Sequence, residues 1–321
     1  MSVKINQKPT DKEWKSFTIF GSKKNSFSTE TYFRESYFDG YQILGDQFLN
    51  IITRTAVVVL KPEVFAARRA TDVIRLIEKY DFRIKLGLSV KYNRHKIRET
   101  WRYQYSEATI DRMCLVDHLY CLGDALVLFF EDTSREISMP ASARLHKLKG
   151  ASEERLRTAE SLRSIIKIPN GVIRFFHIPD EPADIIREIG ILFSSSERIS
   201  LYKSLKEKNP TNLENINILI DNLENQHPKY DFSLNKAWSN VLSFASGNVQ
   251  KNNIYALKEK IESGDVAGWE DVYNLLSSMG CNIYDILSIA SCAIKQDVDY
   301  EFHLIDGDAL RGWDSSFFQK I

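Results

Sequence analysis

The chain lacks several features that mark common classes of protein. Its 321 residues include only four cysteines, and no two of them have CxxC spacing. We therefore expect reduced thiols, with neither a disulfide framework nor a zinc site. No apolar run reaches the ~18 residues that span a bilayer, and the first residues do not resemble a secretory signal. These absences predict a soluble, cytoplasmic protein that does not insert into a membrane.

The chain also has no excess of charge of one sign. It carries 43 basic and 43 acidic residues, so it has no overall electrostatic footprint for extended DNA or RNA. A small anionic ligand needs only a few local cations and is compatible with this balance. No glycine-rich loop ending in GK[ST] is present, which excludes a P-loop kinase.

Hydrophobic patterning in the middle of the chain predicts an α/β (α+β) domain. Unbroken or alternating apolar residues indicate four strands, at residues 55–60, 82–90, 125–130 and 172–176. Helical patterns lie between them, at 64–80, 94–121 and 141–149, and a helix at 184–193 follows the last strand. This order favours a ferredoxin-like fold, in which helices pack on one side of a four-stranded antiparallel sheet.

The length of the chain predicts further segments on both sides of this domain. Residues 1–50 form an N-terminal extension that we expect to be poorly ordered up to about residue 24 and then rich in packed aromatic side chains. Residues 51–205 form the α/β domain, and residues 206–321 form an all-α domain beyond a polar turn cluster. The helical patterns of the all-α domain cover residues 213–225, 234–245, 255–263, 269–278 and 283–294.

His177 is the most informative residue for function. It follows the apolar run 172–176 and precedes a Pro/Asp turn, which places it at the junction of a strand and a helix. Glu188 lies eleven residues further on, in that helix, where its carboxylate could turn back toward the imidazole. A carboxylate that fixes a histidine decides which ring nitrogen holds the proton and which can attack an electrophile.

Cations and a hydroxyl accompany this histidine near the ends of other elements. Lys61 follows the first strand, Arg144 lies on a short helix, and Arg163 lies in the polar connection before the fourth strand, as does Ser152. If these side chains converge at one edge of the sheet, they supply the positive charge that a triphosphate needs, with His177 as the nucleophile.

The order and spacing of these residues resemble the nucleoside diphosphate kinase family over about residues 52–200. The family's first strand ends in Lys-Pro-Asp, and here it ends in Lys61-Pro62-Glu63. The family's nucleophilic histidine is followed eleven residues later by Glu-Ile-Gly, and His177 is followed at that spacing by Glu188-Ile189-Gly190. The family's Gly-x-Thr and later Ile-Arg are similar to Gly150-Ala151-Ser152 and Leu162-Arg163.

This resemblance implies a ping-pong phosphotransferase. His177 would take the γ-phosphate of ATP or another nucleoside triphosphate as a phosphohistidine and pass it to a nucleoside diphosphate, with Mg²⁺ bridging the phosphates. Trp101 is the best match for the family's nucleotide-binding tyrosine. Arg144 matches a family arginine only with a shift of two residues. By the same resemblance the protein assembles as a homo-oligomer, the imidazole is held by Glu188, and the phosphates are bound by Lys61, Arg144, Ser152 and Arg163.

The neighbours of His177 depart from the family pattern. Arg174 stands where the family has an asparagine that touches the sugar, which implies a nucleotide-binding cation, and Pro179 replaces a serine. The family's base-stacking Arg-Pro-Phe-Phe is replaced by residues 111–116. A second hypothesis is therefore a nucleotide-binding or sensing module with little transfer activity, coupled to a helical domain that binds a protein partner. An α/β interaction protein without a ligand is the third hypothesis.

Overall fold

The structure, a computed structural model, describes residues 8–135, 138–151, 154–207, 213–245 and 250–298, together with Ile305 and Trp313. Short 3₁₀ turns lie at Gly45–Gln47 and Glu154–Leu156. The helices and strands of this part of the chain are, in order, α1 (Asp11–Phe17), α2 (Gly21–Phe27), α3 (Thr31–Leu44), α4 (Phe48–Thr53), β1 (Thr55–Leu60), α5 (Pro62–Ala66), α6 (Ala70–Glu78), β2 (Phe82–Val90), α7 (Arg94–Thr100), α8 (Ile110–Tyr120), β3 (Ala125–Asp132), α9 (Ala141–Lys149), α10 (Leu162–Ile166), β4 (Phe176–His177), α11 (Pro182–Leu192), α12 (Ser195–Lys206), α13 (Leu213–Glu224), α14 (Leu234–Ala245), α15 (Lys251–Glu262), α16 (Trp269–Ser278) and α17 (Ile283–Ala293).

The four strands form one antiparallel sheet in the order β2-β3-β1-β4. Strand β1 is central and pairs with β3 along its whole length. On its other side, Val59 pairs with His177 and Leu60 pairs with Phe176. This arrangement confirms the expected α+β class with a ferredoxin-like four-stranded sheet and added helices. It also places His177 beside the end of β1, where Lys61 leaves the sheet.

Helices cover both faces of the sheet, although the sequence suggested one. All six residues of β1 are buried, and they alternate between two hydrophobic cores. Ala56, Val58 and Leu60 contact the core built with α5, α6, α8 and the C-terminal helices. Val57 and Val59 contact the core built with α1–α4, α11 and α12. The expectation of helices on one side was wrong, because an unbroken apolar run is typical of a strand buried on both faces.

Two residues with positive φ angles explain why one predicted helix is interrupted and one predicted strand is shorter than expected. Arg68, with φ 58°, separates α5 from α6 within the single helix expected at 64–80. Phe175, with φ 61°, lies in the left-handed region that β strands do not adopt. Strand β4 is therefore two residues long rather than five, and the buried apolar residues before it form a loop.

The N-terminal extension is helical where the sequence suggested disorder. Helix α1 begins with a capping box in which the side chains of Thr10 and Glu13 satisfy each other's backbone N–H groups. Trp14, Phe17 and Phe27 are buried in the second core. Aromatic burial therefore outweighs the polar, lysine-rich composition of residues 8–24. Residues 1–7 lie outside the described residues.

The C-terminal helices α13–α17 lie close to the predicted positions. Their buried residues belong to the same core as one face of the sheet, and a Cβ added to Gly87 of β2 would lie 2.4 Å from Ile216 of α13. The domain bounds 51–205 and 206–321 stay predictions. Across the described ranges, no helix combines the length and apolar character needed to cross a membrane.

We expect Gly190→Ala to destabilise the protein by about 1–3 kcal/mol, the usual cost of an overpacked core. A Cβ on Gly190 would lie 2.1 Å from the backbone oxygen of Tyr32, so α3 would have to move away from α11. Denaturant unfolding followed by circular dichroism measures the change. The matched control is Gly21→Ala, whose Cβ meets nothing within 4 Å. Equal stability of the two variants would contradict the prediction.

Candidate functional site

One cavity of about 520 Å³ collects most of the residues that the sequence singled out. It lies at the edge of the sheet, between β4 and helices α7, α8, α9 and α11. Ser152 lies outside the described residues. Arg144 does not line the cavity. The six other predicted site residues all line it, namely Lys61, Trp101, Arg163, Arg174, His177 and Glu188.

His177 and Glu188 form the pair that their spacing predicted. The imidazole Nε2 lies 2.8 Å from Glu188 Oε1, and the indole of Trp101 packs edge-on to the imidazole at 5.3 Å between ring centroids. A carboxylate at Nε2 favours the tautomer with the proton on Nε2. The Nδ1 nitrogen, which makes no hydrogen bond to the described residues, is then the one with a free lone pair.

One face of α11 points into this cavity. Asp184, Arg187 and Glu188 occupy positions i, i+3 and i+4 of the helix, and all three line the cavity. Glu188 is buried, and its second oxygen, Oε2, accepts no hydrogen bond from the residues that the structure describes. Helix α11 therefore supplies a buried carboxylate that contacts the imidazole.

Lys61 lies where β1 ends and α5 begins. Its backbone N–H donates to the carbonyl of Phe175 at 2.9 Å, so the loop before β4 is tied to the same point. Its ammonium lies 2.5 Å from the fully buried carboxylate of Glu63. Burial lowers the pKa of Lys61, and the charge of Glu63 acts in the opposite direction. Lys61 is thus a buried cation held at the cavity wall by an acid two residues away.

Lys149 is a cavity cation that the sequence reasoning missed. Its ammonium donates to the backbone oxygen of Ile178 at 3.2 Å and lies 3.4 Å from Asp180 Oδ1. His146 contacts the same carboxylate oxygen, with its Nδ1 2.5 Å from Oδ1. Burial lowers the pKa of Lys149 to about 8. The i, i+3 spacing of His146 and Lys149 on α9 was the signal that could have revealed this group.

Arg163 and Arg174 add two guanidinium groups to the same cavity. Arg163 donates from Nη1 to the carbonyl of Gly150 at 2.7 Å, and burial lowers its pKa to about 10. Burial, followed by the charges of Arg163 and Arg112, lowers the pKa of Arg174 to about 9. Both side chains stay charged at neutral pH, so the cavity holds several buried cations close together.

Arg144 lies elsewhere, which corrects its predicted role. Its Nε donates to Asp132 Oδ2 at 2.7 Å, and its Nη2 donates to Asp132 Oδ1 and to the carbonyl of Tyr80, each at 2.8 Å. The guanidinium also stacks on Phe82 at 3.9 Å. A step of two residues along a helix turns by about 200°, so a two-residue shift moves the side chain to the opposite face. His146, not Arg144, faces the cavity.

The assembled groups suit a phosphorylated ligand. A histidine with a fixed tautomer lies among lysine and arginine side chains that are partly or largely removed from water. Buried cations are costly unless an opposite charge compensates them, and Glu63 and Asp180 compensate Lys61 and Lys149. An anion bound in the cavity would add to this compensation.

No family model and no curated protein matches the chain. Solved structures with a similar fold include a nucleoside diphosphate kinase from Encephalitozoon cuniculi, at 14% identity and TM-score 0.37, covering 43% of this chain and 87% of that chain. The Aquifex aeolicus nucleoside diphosphate kinase has 17% identity and TM-score 0.35, covering 45% and 97%. An NDP kinase from Pyrobaculum aerophilum has 16% identity and TM-score 0.35, covering 46% and 98%. These values do not establish family membership.

Arg144→Leu should lower stability by about 3 kcal/mol, because it leaves the buried Asp132 carboxylate without its cation. The affinity of the folded variant for inorganic triphosphate should not change, since Arg144 does not line the cavity. Denaturant unfolding and calorimetric titration measure the two quantities. Arg83→Leu, which breaks an exposed pair with Glu131, is the control and should cost less than about 1 kcal/mol. A loss of triphosphate affinity in Arg144→Leu would contradict this prediction and show that Arg144 contributes to binding.

The affinity for inorganic triphosphate should fall as the pH rises above about 8. The free protein holds Lys149 with a pKa of about 8, below its usual 10.5, so the ammonium is present below that pH and lost above it. Each further pH unit then lowers the affinity by up to about tenfold, until the pKa of the ligand-bound lysine is passed. Titration calorimetry from pH 7 to 10 measures the slope.

Lys149→Arg is the matched variant, because a guanidinium stays charged throughout this range. The affinity of Lys149→Arg for inorganic triphosphate should stay constant over the pH range in which the affinity of the unchanged protein falls. Identical slopes for both would assign the effect to another group, of which Lys61 is the first to consider because burial lowers its pKa as well.

Proposed function

We propose that the protein is a nucleotide phosphotransferase that moves the γ-phosphate of a nucleoside triphosphate to a nucleoside diphosphate through a phosphohistidine at His177. The observation that carries this proposal is the 2.8 Å contact between His177 Nε2 and Glu188 Oε1 in a cavity lined by lysine and arginine. The contact prepares one ring nitrogen as a nucleophile, and the cations suit the group that it would attack. The resemblance of Lys61-Pro62-Glu63 and Glu188-Ile189-Gly190 to the nucleoside diphosphate kinase family supports the same chemistry.

The transfer has two balanced steps. In the first, the lone pair of His177 Nδ1 forms a bond to the γ-phosphorus, and the bond between that phosphorus and the β–γ bridging oxygen breaks. The bridging oxygen keeps the electron pair and leaves on the nucleoside diphosphate. In the second, a terminal β-phosphate oxygen of an acceptor diphosphate attacks the phosphorus, and the electron pair of the N–P bond returns to Nδ1. Glu188 stabilises the positive charge that the imidazole carries between the steps.

The cavity cations would stabilise the charge on the transferring group. Lys61 lies at the end of β1, next to the His177 strand, and Arg163 and Lys149 extend the positive charge along the cavity. In the described ranges no cluster of three or more His, Cys, Asp or Glu side chains could hold a metal ion. As the resemblance implies, Mg²⁺ would be bound through the nucleotide phosphates, where it would neutralise charge. A phosphate contact from Ser152 stays a prediction.

A nucleotide-binding module with little transfer activity is the second candidate. It is favoured by Pro179, which lines the cavity two residues after His177. A proline has no hydroxyl to donate to a leaving phosphate, whereas the resembled family has a serine at that position. The expected homo-oligomer, the protein partner of the C-terminal helices and the cytoplasmic location remain parts of the proposal.

Labelling with γ-³²P-ATP tests the transferase. We expect an acid-labile, alkali-stable phosphoprotein, complete loss of label in His177→Ala, and labelling about 10- to 100-fold slower in Glu188→Gln, the usual cost of removing a partner that orients a functional histidine. Addition of a nucleoside diphosphate should discharge the label and form the triphosphate.

His95→Ala is the matched control, because His95 is exposed and lies outside the cavity; it should label like the unchanged protein. Equal labelling of His177→Ala would refute the phosphohistidine. Tight nucleotide binding by calorimetry without discharge to a diphosphate would instead support the second candidate.

A further inference from the structure

One cation that lines the cavity is already engaged by protein groups. Arg187 of α11 lines the cavity and is buried, at 3% exposure. Its Nε lies 2.5 Å from Glu30 Oε2. Its Nη2 donates to the carbonyl of Glu99 at 2.7 Å, and its Nη1 donates to the carbonyl of Thr100 at 3.3 Å. Since each nitrogen of the guanidinium contacts a protein oxygen, Arg187 suits a role that differs from binding a phosphate.

The oxygens that Arg187 contacts belong to two separate parts of the chain. Glu30 is the N-cap residue of α3, in the N-terminal extension. Glu99 and Thr100 are the last two residues of α7, and the last carbonyls of a helix are groups that a nearby cation can satisfy. Trp101 follows directly as the C-cap of α7. Arg187 therefore joins α11 both to the N-terminal extension and to the end of the helix that carries Trp101.

Two groups that contact the imidazole of His177 are both linked to Arg187. Glu188 is the next residue in α11, and its Oε1 lies 2.8 Å from His177 Nε2. The indole of Trp101 packs edge-on to the ring at 5.3 Å between centroids. Because Arg187 bonds the end of α7 from α11, it sets the spacing between the elements that carry these two groups. The planar fork of a guanidinium holds its partners in a defined geometry, so this spacing is well defined.

Aromatic rings and a shared carboxylate hold the guanidinium of Arg187 in place. It lies 5.2 Å from the ring centroid of Phe27 and 5.2 Å from that of Tyr103, within the range of cation–π attraction. The hydroxyl of Tyr103 donates to Glu30 Oε1, so one carboxylate serves both Tyr103 and Arg187. Glu30 itself does not line the cavity. A change at Glu30 therefore loosens Arg187 without removing a group from the cavity wall.

Arg187 is one of four residues, three apart, through which α11 and its N-cap contact the N-terminal extension. The contacts are Glu181 with Thr18, Asp184 with Lys23, Arg187 with Glu30, and Gly190 with the backbone of Tyr32. Residues three apart form an inclined row on the surface of a helix. Within this row, Arg187 is the residue that also bonds α7 and that precedes Glu188 directly. It is therefore the contact through which the extension reaches the surroundings of His177.

We propose that Arg187 is a positioning residue for the phosphoryl transfer, which holds Glu188 and Trp101 in place beside His177, and that Glu30 of the N-terminal extension acts on the transfer through it. The inference rests on the proposed function for the role of His177 as the nucleophile. Arg187 contacts protein oxygens rather than the phosphate, so its loss should slow the transfer and leave phosphate binding unchanged. The N-terminal extension is then a working part of the site as well as a layer over the sheet.

The test compares Arg187→Gln with Arg144→Gln. Arg144 is a matched control, because its guanidinium also bonds a carboxylate and a backbone carbonyl and stacks on an aromatic ring, but it does not line the cavity. Labelling with γ-³²P-ATP should be about tenfold slower in Arg187→Gln, the lower end of the usual cost of removing a group that orients functional side chains. Arg144→Gln should label like the unchanged protein. The affinity for inorganic triphosphate, measured by titration calorimetry, should not change in either variant.

Glu30→Gln approaches the same contact from the other side. It should slow labelling because the guanidinium is held less firmly, and it keeps the proposal testable if Arg187→Gln does not fold. The double variant should be no slower than Arg187→Gln alone, since both residues act through one contact, whereas independent effects would multiply and would overturn the link to the extension. Arg187→Lys should recover part of the rate, because an ammonium can still pair with Glu30 but lacks the fork that bonds both carbonyls.

The tautomer of His177 is a second readout, which does not depend on transfer. ¹⁵N NMR of protein labelled at histidine distinguishes the two tautomers, and the signal that disappears in His177→Ala identifies the residue. The unchanged protein should hold the proton on Nε2. Arg187→Gln should give a mixture of both tautomers, because Glu188 is no longer fixed at Nε2. Arg144→Gln should keep the single tautomer.

The outcomes separate this inference from the proposed function. An unchanged labelling rate in Arg187→Gln would overturn the inference, as would an equally slow rate in Arg144→Gln, which would assign the effect to stability. A fall in triphosphate affinity that accounts for the slower labelling would make Arg187 a ligand-binding residue and would also overturn it. If the unchanged protein never labels, the proposed function is lost and the tautomer decides: a mixture in Arg187→Gln supports the positioning role, and a single tautomer refutes it.

Discussion

The hydrogen bond between His177 Nε2 and Glu188 Oε1 is the contact on which the candidate site depends. It joins strand β4, only two residues long, to helix α11, and it sets the tautomer of the ring. Because β4 is held by β1 alone, the position of the imidazole depends on the Val59 pairing and on α11. Helix α11 in turn packs closely against α3, where Gly190 lies next to the backbone of Tyr32. The N-terminal extension therefore helps to place Glu188, although it lies outside the segment that resembles a known family.

Nearby carboxylates neutralise two of the lysines in the cavity and so lower the free-energy cost of burying them. Glu63 neutralises Lys61 from the first turn of α5, and Asp180 neutralises Lys149 from the loop after β4. Each pair is formed between residues fixed by neighbouring elements, so the site can fold before a ligand is bound. In the proposed function, a phosphate would share each lysine with its carboxylate.

The sequence predicted the regular parts of the fold and the contact between His177 and Glu188, and it failed where the backbone or a helix face is set by single residues. Strands β1 to β3 follow from apolar patterning, and the Glu188 spacing gave the correct partner for His177. The length of β4 was not predictable, because the positive φ of Phe175 leaves no trace in an apolar run. The sequence placed Arg144 at the site by a match that was shifted by two residues. On a helix such a shift moves the side chain to the opposite face.

The segments outside residues 52–200 contribute to the walls of the cavity as well as to the fold. Lys23 and Phe27 of α2 line the cavity, and Lys23 also pairs with Glu181 and Asp184 at the start of α11. At the other side, Asp297 beyond α17 holds Arg112 of α8. The walls of the cavity are therefore completed by both flanking segments. The pair of His177 and Glu188 lies within the segment that resembles a known family, whereas the shape and charge of the cavity also depend on contacts that this resemblance does not cover.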